Sequence, residues 1–342
     1  MGTFKFVLKN RHKISLYTYI EIWAGGDTVL NSKYKKVSDF FPRELREVWD
    51  KCDFDLKNIQ EIRIRVNQPV RVLLGKEVKL SFIYGEKELE EVFRYLCNDS
   101  VYAYEDERTQ GYIMLSGGHR VGITGELTMI EGGRYIAKYI RYINIRVAHE
   151  IKKISESLME YLYDKELKQP LNTLIASPPG IGKTTLLRDI IRSFSNGSFM
   201  GEGCNVGVID ERGEIAGAYR GSACLDCGER TDIITGGDKN RGISVLVRAF
   251  APKVIAIDEI GSSSDAEAIF YAGLSGCKIL ATIHARNIKD VENKTELSKL
   301  IQQRIFDRII VLSKETADER FAQIFDAEGN ELCGKKQLQA CL

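Results

Sequence analysis

The 342-residue chain lacks four things, and each absence excludes a class of function. It has no uninterrupted apolar run of about 18 residues, so no membrane-spanning helix is predicted. Its start has no continuous apolar core, so no signal peptide is expected. It has no excess charge of one sign: 49 Lys and Arg against 48 Asp and Glu leave a formal net charge of +1. That balance argues against nucleic acid or an anionic membrane as the bulk partner. Its lone C-x-x-C, Cys224-Leu-Asp-Cys227, lacks a second ligand pair, because Cys333 and Cys341 have the wrong spacing. The eight cysteines therefore read as reduced thiols of a cytoplasmic protein, those of the loop being incidental.

What is present centres on Leu174-Ile-Ala-Ser-Pro-Pro-Gly-Ile-Gly-Lys-Thr-Thr-Leu-Leu-Arg-Asp-Ile190. Leu174 to Ala176 suit a buried parallel strand. Pro178, Pro179, Gly180 and Gly182 break regular structure, and Leu186, Leu187, Ile190 and Ile191 then recur at helical spacing. Such a strand–loop–helix aims backbone N–H groups and a helix dipole at one point, where polyphosphate binds. The residues from Ser177 through Pro178, Pro179, Gly180, Ile181, Gly182, Lys183 and Thr184 to Thr185 are the candidate cradle. Lys183 is placed to reach the β- and γ-phosphates of ATP, and Thr184 to put its hydroxyl on Mg²⁺. Ser177 stands where the strict pattern has glycine, a departure that matters if that position needs positive φ.

Length predicts two domains. Residues 1–36 are a poorly defined extension, either loosely held or packed on a partner. Residues 37–149 read as a small α+β domain. Phe40-Phe41-Pro42 leads into a helix through Trp49. Glu61-Ile-Arg-Ile-Arg-Val66 alternates, with Ile62, Ile64 and Val66 inward and Glu61, Arg63 and Arg65 outward. Residues 86–98 form an amphipathic helix on Leu89, Val92, Phe93 and Leu96. Residues 111–124 form a hairpin, and 134–147 are strand-rich. Residues 150–170 are helix and linker, the helix running from His149 to Tyr163. Residues 171–342 alternate strand and helix, with strands at 173–176, 205–210, 254–258 and 278–283. That order predicts an α/β fold with a doubly wound parallel sheet, its ligands at the carboxyl ends of the strands.

The chemistry-bearing residues fall at those ends. Val254-Ile-Ala-Ile-Asp258-Glu259 is a strand finishing in two carboxylates: Asp258 for Mg²⁺ and Glu259 as general base for an attacking water. Asp210-Glu211-Arg212-Gly-Glu214 ends the intervening strand. Its acids suit the Mg²⁺ and water shell, and Arg212 suits the γ-phosphate. His284 ends the next strand, near Glu259. Arg248, on a helix before the acidic strand, and Arg230 can each pair with acids or reach a phosphate, in the second case also across a subunit boundary.

Taken together these strings resemble the stage III sporulation AA family of endospore-forming bacteria, which stands with the ATPases of type II and IV secretion and pilus assembly. The similarity runs from about Phe40 to Leu312. Glu61 to Val66 and Gly117-Gly-His-Arg-Val-Gly-Ile-Thr-Gly125 carry it in the first half. The resemblance implies a RecA-like P-loop NTPase domain with a parallel sheet, preceded by a smaller α+β domain. It implies a hexameric cytoplasmic ATPase on the mother-cell side, held at the membrane by inner-membrane components of a channel to the forespore. It makes Asp210 part of an acidic box and His284 of a histidine box, and offers Arg63, Arg65 and Arg120 as contacts to a neighbour's nucleotide. Two other readings stay open. Arg134-Tyr-Ile-Ala-Lys-Tyr-Ile-Arg-Tyr142 interleaves bases and aromatics, as in a nucleic-acid-handling ATPase. The third is an ATP-bound scaffold with little turnover.

Overall fold

A computed structural model describes residues 33–100, 104–197, 201–316 and 319–338. Most of the extension expected over 1–36, and Cys341, lie outside the described residues. The first half builds a six-stranded antiparallel sheet from β1 (Glu61–Arg65), β2 (Pro69–Leu74), β3 (Lys76–Ile83), β4 (Tyr112–Met114), β5 (Arg120–Met129) and β6 (Tyr135–Arg146), in the order β3-β2-β1-β6-β5-β4. A short helix, α1 (Arg46–Asp50), and the amphipathic α2 (Glu86–Leu96) pack against it. Leu89, Val92, Phe93 and Leu96 are buried, as their spacing predicts. Phe41 stacks on Trp49 at 4.4 Å, and Trp49 Nε1 donates to the Tyr84 hydroxyl at 2.7 Å. The alternation of β1 holds for Ile62 and Ile64, both fully buried. Glu61, expected outward, is buried instead, because Arg63 donates to its carboxylate at 2.8 Å and Asn144 covers the other oxygen.

The second half builds an eight-stranded sheet. Its strands are β9 (Thr173–Ser177), β10 (Val206–Asp210), β11 (Thr231–Thr235), β12 (Val254–Ile257), β13 (Lys278–His284), β14 (Arg308–Lys314), β15 (Arg320–Asp326) and β16 (Glu331–Leu338). They lie in the order β11-β10-β12-β13-β9-β14-β15-β16. The six strands from β11 to β14 are mutually parallel, and β15 and β16 return antiparallel. The inner parallel strands β10, β12, β13 and β9 read as apolar runs because both faces are covered, while the edge strand β11 is part-exposed. Between the two sheets, Tyr163–Asp164 (β7) and Gln169–Pro170 (β8) make a two-stranded ladder.

The helix expected over 149–163 is reduced to one 3₁₀ stretch, Glu156–Tyr161. The buried Asp189 accounts for this. Its carboxylate accepts the N–H groups of Lys153 at 3.0 Å and Ser155 at 2.8 Å, which takes donors a helix would use and bends the chain there. Lys153 adopts φ +64°.

The two sheets meet where the segment after β10 crosses to the hairpin of β4 and β5. Gly118 and Gly217, both at positive φ, touch backbone to backbone. The hydroxyl groups of Tyr104 and Tyr219 lie 3.0 Å apart beside them. A Cβ on Gly217 would sit 2.8 Å from Gly118 Cα and 3.0 Å from the Leu225 side chain. Gly217→Ala is therefore expected to lower stability by about 1–3 kcal/mol in urea denaturation. Gly221→Ala is the control, since Gly221 has φ +76° and open space around its missing Cβ. Equal losses in the two variants would mean that only backbone strain counts and that the contact between the sheets does not.

Candidate nucleotide site

Parallel pairing sets the site before any side chain is considered. Ser177 at the end of β9 is in register with His284 at the end of β13, and Asp258 and Glu259 follow β12 directly. The loop from Pro178 to Gly182 then opens α3 (Lys183–Asn196), whose Leu186, Leu187, Ile190 and Ile191 are fully buried. Gly180 and Gly182 take the left-handed backbone, at φ +76° and +113°. Ser177 is the last strand residue and is not among the positive-φ positions, so the missing glycine costs the loop nothing. The Ser177 side chain is buried and donates to the Pro178 carbonyl at 2.7 Å.

Lys183 is 9% exposed, and its Nζ donates to His284 Nδ1 at 2.6 Å. The other ring nitrogen, Nε2, itself 3.5 Å from the Lys183 ammonium, lies 3.4 Å from the Glu259 carboxylate. An imidazole with its proton on Nε2 satisfies both contacts, accepting from the ammonium and donating to the acid. Burial lowers the pKa of Lys183, and the Glu259 and Asp258 carboxylates act against that shift. The Thr184 hydroxyl donates to Asp258 at 3.2 Å, and Thr282 donates to the Asp258 backbone carbonyl. Burial, with Glu214 and Asp210 nearby, pushes the Asp258 carboxyl up to about 6. Thr184 and Asp258 thus present hard oxygen donors beside unneutralised carboxylates, a donor set that fits Mg²⁺.

Asp210 is placed differently from the sequence expectation. It is fully buried, and its two oxygens accept the N–H groups of Ile215 at 3.1 Å and Ala216 at 2.9 Å. Its lone pairs fold the acidic turn, while Glu214 faces outward and pairs with Arg120 at 2.5 Å. Arg212 lines a cleft with Glu211, Tyr112, Arg120, Gly236 and Gly237, between the hairpin and the acidic turn. Arg63 is committed to Glu61. Arg248 lies in a π-helical turn, Leu246–Phe250, that follows α4 (Lys239–Val245) and precedes β12. It therefore sits at the amino edge of the sheet, roughly 13 Å of strand from Asp258. Arg230, just before β11, is at that edge too, donating to the Ser195 carbonyl at 3.2 Å. Neither reaches the phosphate loop within its own chain.

Three supporting residues escape the sequence reading. Arg320, on the antiparallel β15, donates to the Ile181 carbonyl at 2.9 Å and steadies the loop. Arg188 is buried beneath the acidic turn and donates to the carbonyls of Glu214, at 2.9 Å, and Ile215. Lys239 donates to the Glu259 carbonyl at 2.7 Å. Only Lys239 carries a local signal, the N-capping Asp238 before it. Cys227 is buried near Arg188, and burial pushes its thiol up to about 12. Among the described residues no group of three or more His, Cys, Asp or Glu side chains converges on a metal position.

A parallel sheet with this loop, lysine and carboxylate pair at its carboxyl edge defines the chain as a RecA-like P-loop protein. Two solved structures share the fold. One is the ATPase DotB of Yersinia pseudotuberculosis, with TM-score 0.57 and 14% identity over 86% of this chain and 82% of that one. The other is the pilus retraction motor PilT with bound ADP, with TM-score 0.52 and 14% identity over 78% of each chain. The chain belongs to the family described as sporulation stage III, protein AA, whose model matches residues 31–332. It is 36% identical to stage III sporulation protein AA of Bacillus subtilis (strain 168), over 83% of this chain and 92% of that relative. The resemblance drawn from the motifs is thus shown. Among the described residues no helix is long and apolar enough to cross a membrane.

The raised Asp258 carboxyl has a consequence for stability. Its folded pKa of about 6 lies above its ordinary 3.8, so between those values the folded chain holds a proton the unfolded chain has lost. Stability then falls as pH rises through that window, by at most about 3 kcal/mol, and is level above it. Without nucleotide or divalent cation, Asp258→Asn should stabilise the chain at pH 7 to 8 and lose that advantage near pH 4. Denaturation midpoints across pH measure it; a gain that does not change with pH would show that the carboxyl is not strained by its surroundings.

Proposed function

We propose that the chain hydrolyses ATP to ADP and phosphate. The observation that carries this reading is the convergence of Lys183, Thr184, Asp258 and Glu259 at one edge of the sheet, with His284 bridging Lys183 and Glu259. Lys183 exchanges the imidazole for the β- and γ-phosphate oxygens, and the loop N–H groups hold the remaining charge. Thr184 and Asp258 would hold a Mg²⁺, which would supply charge neutralisation to the phosphates. Glu259 accepts the proton of the attacking water, whose oxygen bonds to the γ-phosphorus as the bond to the ADP oxygen breaks. His284 orients Glu259 and senses whether the γ-phosphate is present. Arg212 serves the γ-phosphate from the neighbouring cleft.

We further read the chain as one subunit of a ring, a hexamer in analogy to secretion ATPases. It works in the mother-cell cytoplasm on inner-membrane components of a sporulation channel. Supporting this are its membership of a sporulation family and a fold shared with an ATPase and a pilus motor. The residues 37–149 act as the moving domain and 171–342 as the ATPase domain. Arg120 on Glu214 and the Gly118–Gly217 contact tie the first sheet to the acidic turn, so closure over nucleotide is transmitted there. Arg248 and Arg65 are left for contacts across the ring. A second reading, single-stranded nucleic acid as cargo, is favoured by one observation: Tyr135, Tyr139 and Tyr142 are each about half exposed along β6, with Lys138 over Tyr139 at 5.1 Å.

Glu259→Gln should still bind MgATP while turnover falls by about 10²–10⁴-fold, and Lys183→Ala should lose both. Phosphate release, alongside binding of a fluorescent ATP analogue, separates the two effects. Retained turnover in Glu259→Gln would remove Glu259 as the base. Specific activity that rises with protein concentration supports sites completed between subunits, and a flat profile counts against them. Steeply salt-dependent stimulation by single-stranded DNA would favour the nucleic-acid reading.

A further inference from the structure

The geometry points to Lys239 as a positioning residue for Glu259, acting through the backbone of the turn that carries it. The inference rests on Glu259 being the base. Lys239 opens α4 behind the N-capping Asp238, and its side chain is 12% exposed. Its ammonium has three N–H donors and faces three oxygens: the Glu259 carbonyl at 2.7 Å, Asp265 Oδ2 at 3.0 Å and Glu211 Oε2 at 3.5 Å. Asp265 lies in the first turn of α5 (Ser263–Leu274), and the same Oδ2 accepts the Gly261 N–H at 2.9 Å. Between them, the Ile260 N–H donates to the Thr282 carbonyl at 2.9 Å. The turn from Glu259 to Gly261 is therefore held at each of its three residues, twice by the Lys239–Asp265 pair.

Stability alone does not account for such a pair. Desolvating an ammonium and a carboxylate offsets most of their attraction, and apolar replacements are often neutral. What the pair provides is direction: it fixes the φ/ψ of the residue whose carboxylate must meet the water. Glu211 is the half-exposed member, so Lys239 also links the end of β10 to the end of β12. Displacing a catalytic group by about 1 Å can cost on the order of 10²-fold in rate.

Lys239→Met alone leaves Asp265 buried without its cation. The test variant is therefore Lys239→Met with Asp265→Asn, which keeps an acceptor for Gly261. Circular dichroism and thermal melting establish that it folds. With MgATP its kcat should fall by about 10- to 100-fold, while affinity for nucleotide stays within about twofold. In single-turnover reactions the same pair of substitutions should add no further loss in the Glu259→Gln background, because the group it positions is already gone. An equal fold loss in both backgrounds, an effect confined to affinity, or an unchanged kcat would overturn the inference while leaving the base reading intact. A Glu259→Gln chain that turns over like its parent sinks the base reading and this inference with it.

Discussion

Parallel pairing is the constraint on which the rest depends. Strands β11, β10, β12, β13, β9 and β14 run the same way, so their carboxyl ends and the loops that follow share one edge. Whatever charge the chain carries at those ends is pressed together. Asp210, Glu214 and Glu259 crowd the Asp258 carboxylate, and two buried cations answer them: Lys183 beside Asp258 and Glu259, and Arg188 beside Asp210 and Asp258. Water screens least at the buried acids, and each of the four meets its own partner. Asp210 is answered by two backbone N–H groups, Glu214 by Arg120, and Glu259 in part by His284. Asp258 accepts from the Thr184 hydroxyl, and burial, with Glu214 and Asp210 close by, still raises its pKa. The acid least satisfied by the protein is the one best placed for a cation.

The acidic turn after β10 serves both halves of the molecule. Asp210 folds it from within, and Arg188 holds its carbonyls against the phosphate-loop helix. Its outer side meets the first sheet through Gly217, Tyr219 and Glu214. The helix α3 is thereby joined to the β4–β5 hairpin through packed backbone and an ion pair. The same arrangement explains why the helix expected over 149–163 is absent. The stretch between the sheets lies over Asp189, whose carboxylate takes the N–H groups that a helix would have used internally.

Much of this was determined locally and can be read from the chain alone. The apolar runs of β9, β10, β12 and β13, the glycines of the loop and the helical spacing of Leu186, Leu187, Ile190 and Ile191 depend on residues a few positions apart. So do the phosphate-loop lysine and threonine and the two acids closing β12, which is why family, fold class and the centre of the site were all legible. Tertiary structure decided what is made by residues far apart in sequence. It seated Arg320 on the loop, Arg188 under the acidic turn and Lys239 on the carbonyl of Glu259, while it withdrew Arg248 and Arg230 to the opposite edge. It turned Asp210 inward as a backbone acceptor and buried Glu61 against Asn144 of β6 as well as Arg63 of its own strand. Periodicity tells which face of an element is apolar. Which charged side chain finds which partner depends on strand order and register, and no local spacing encodes those.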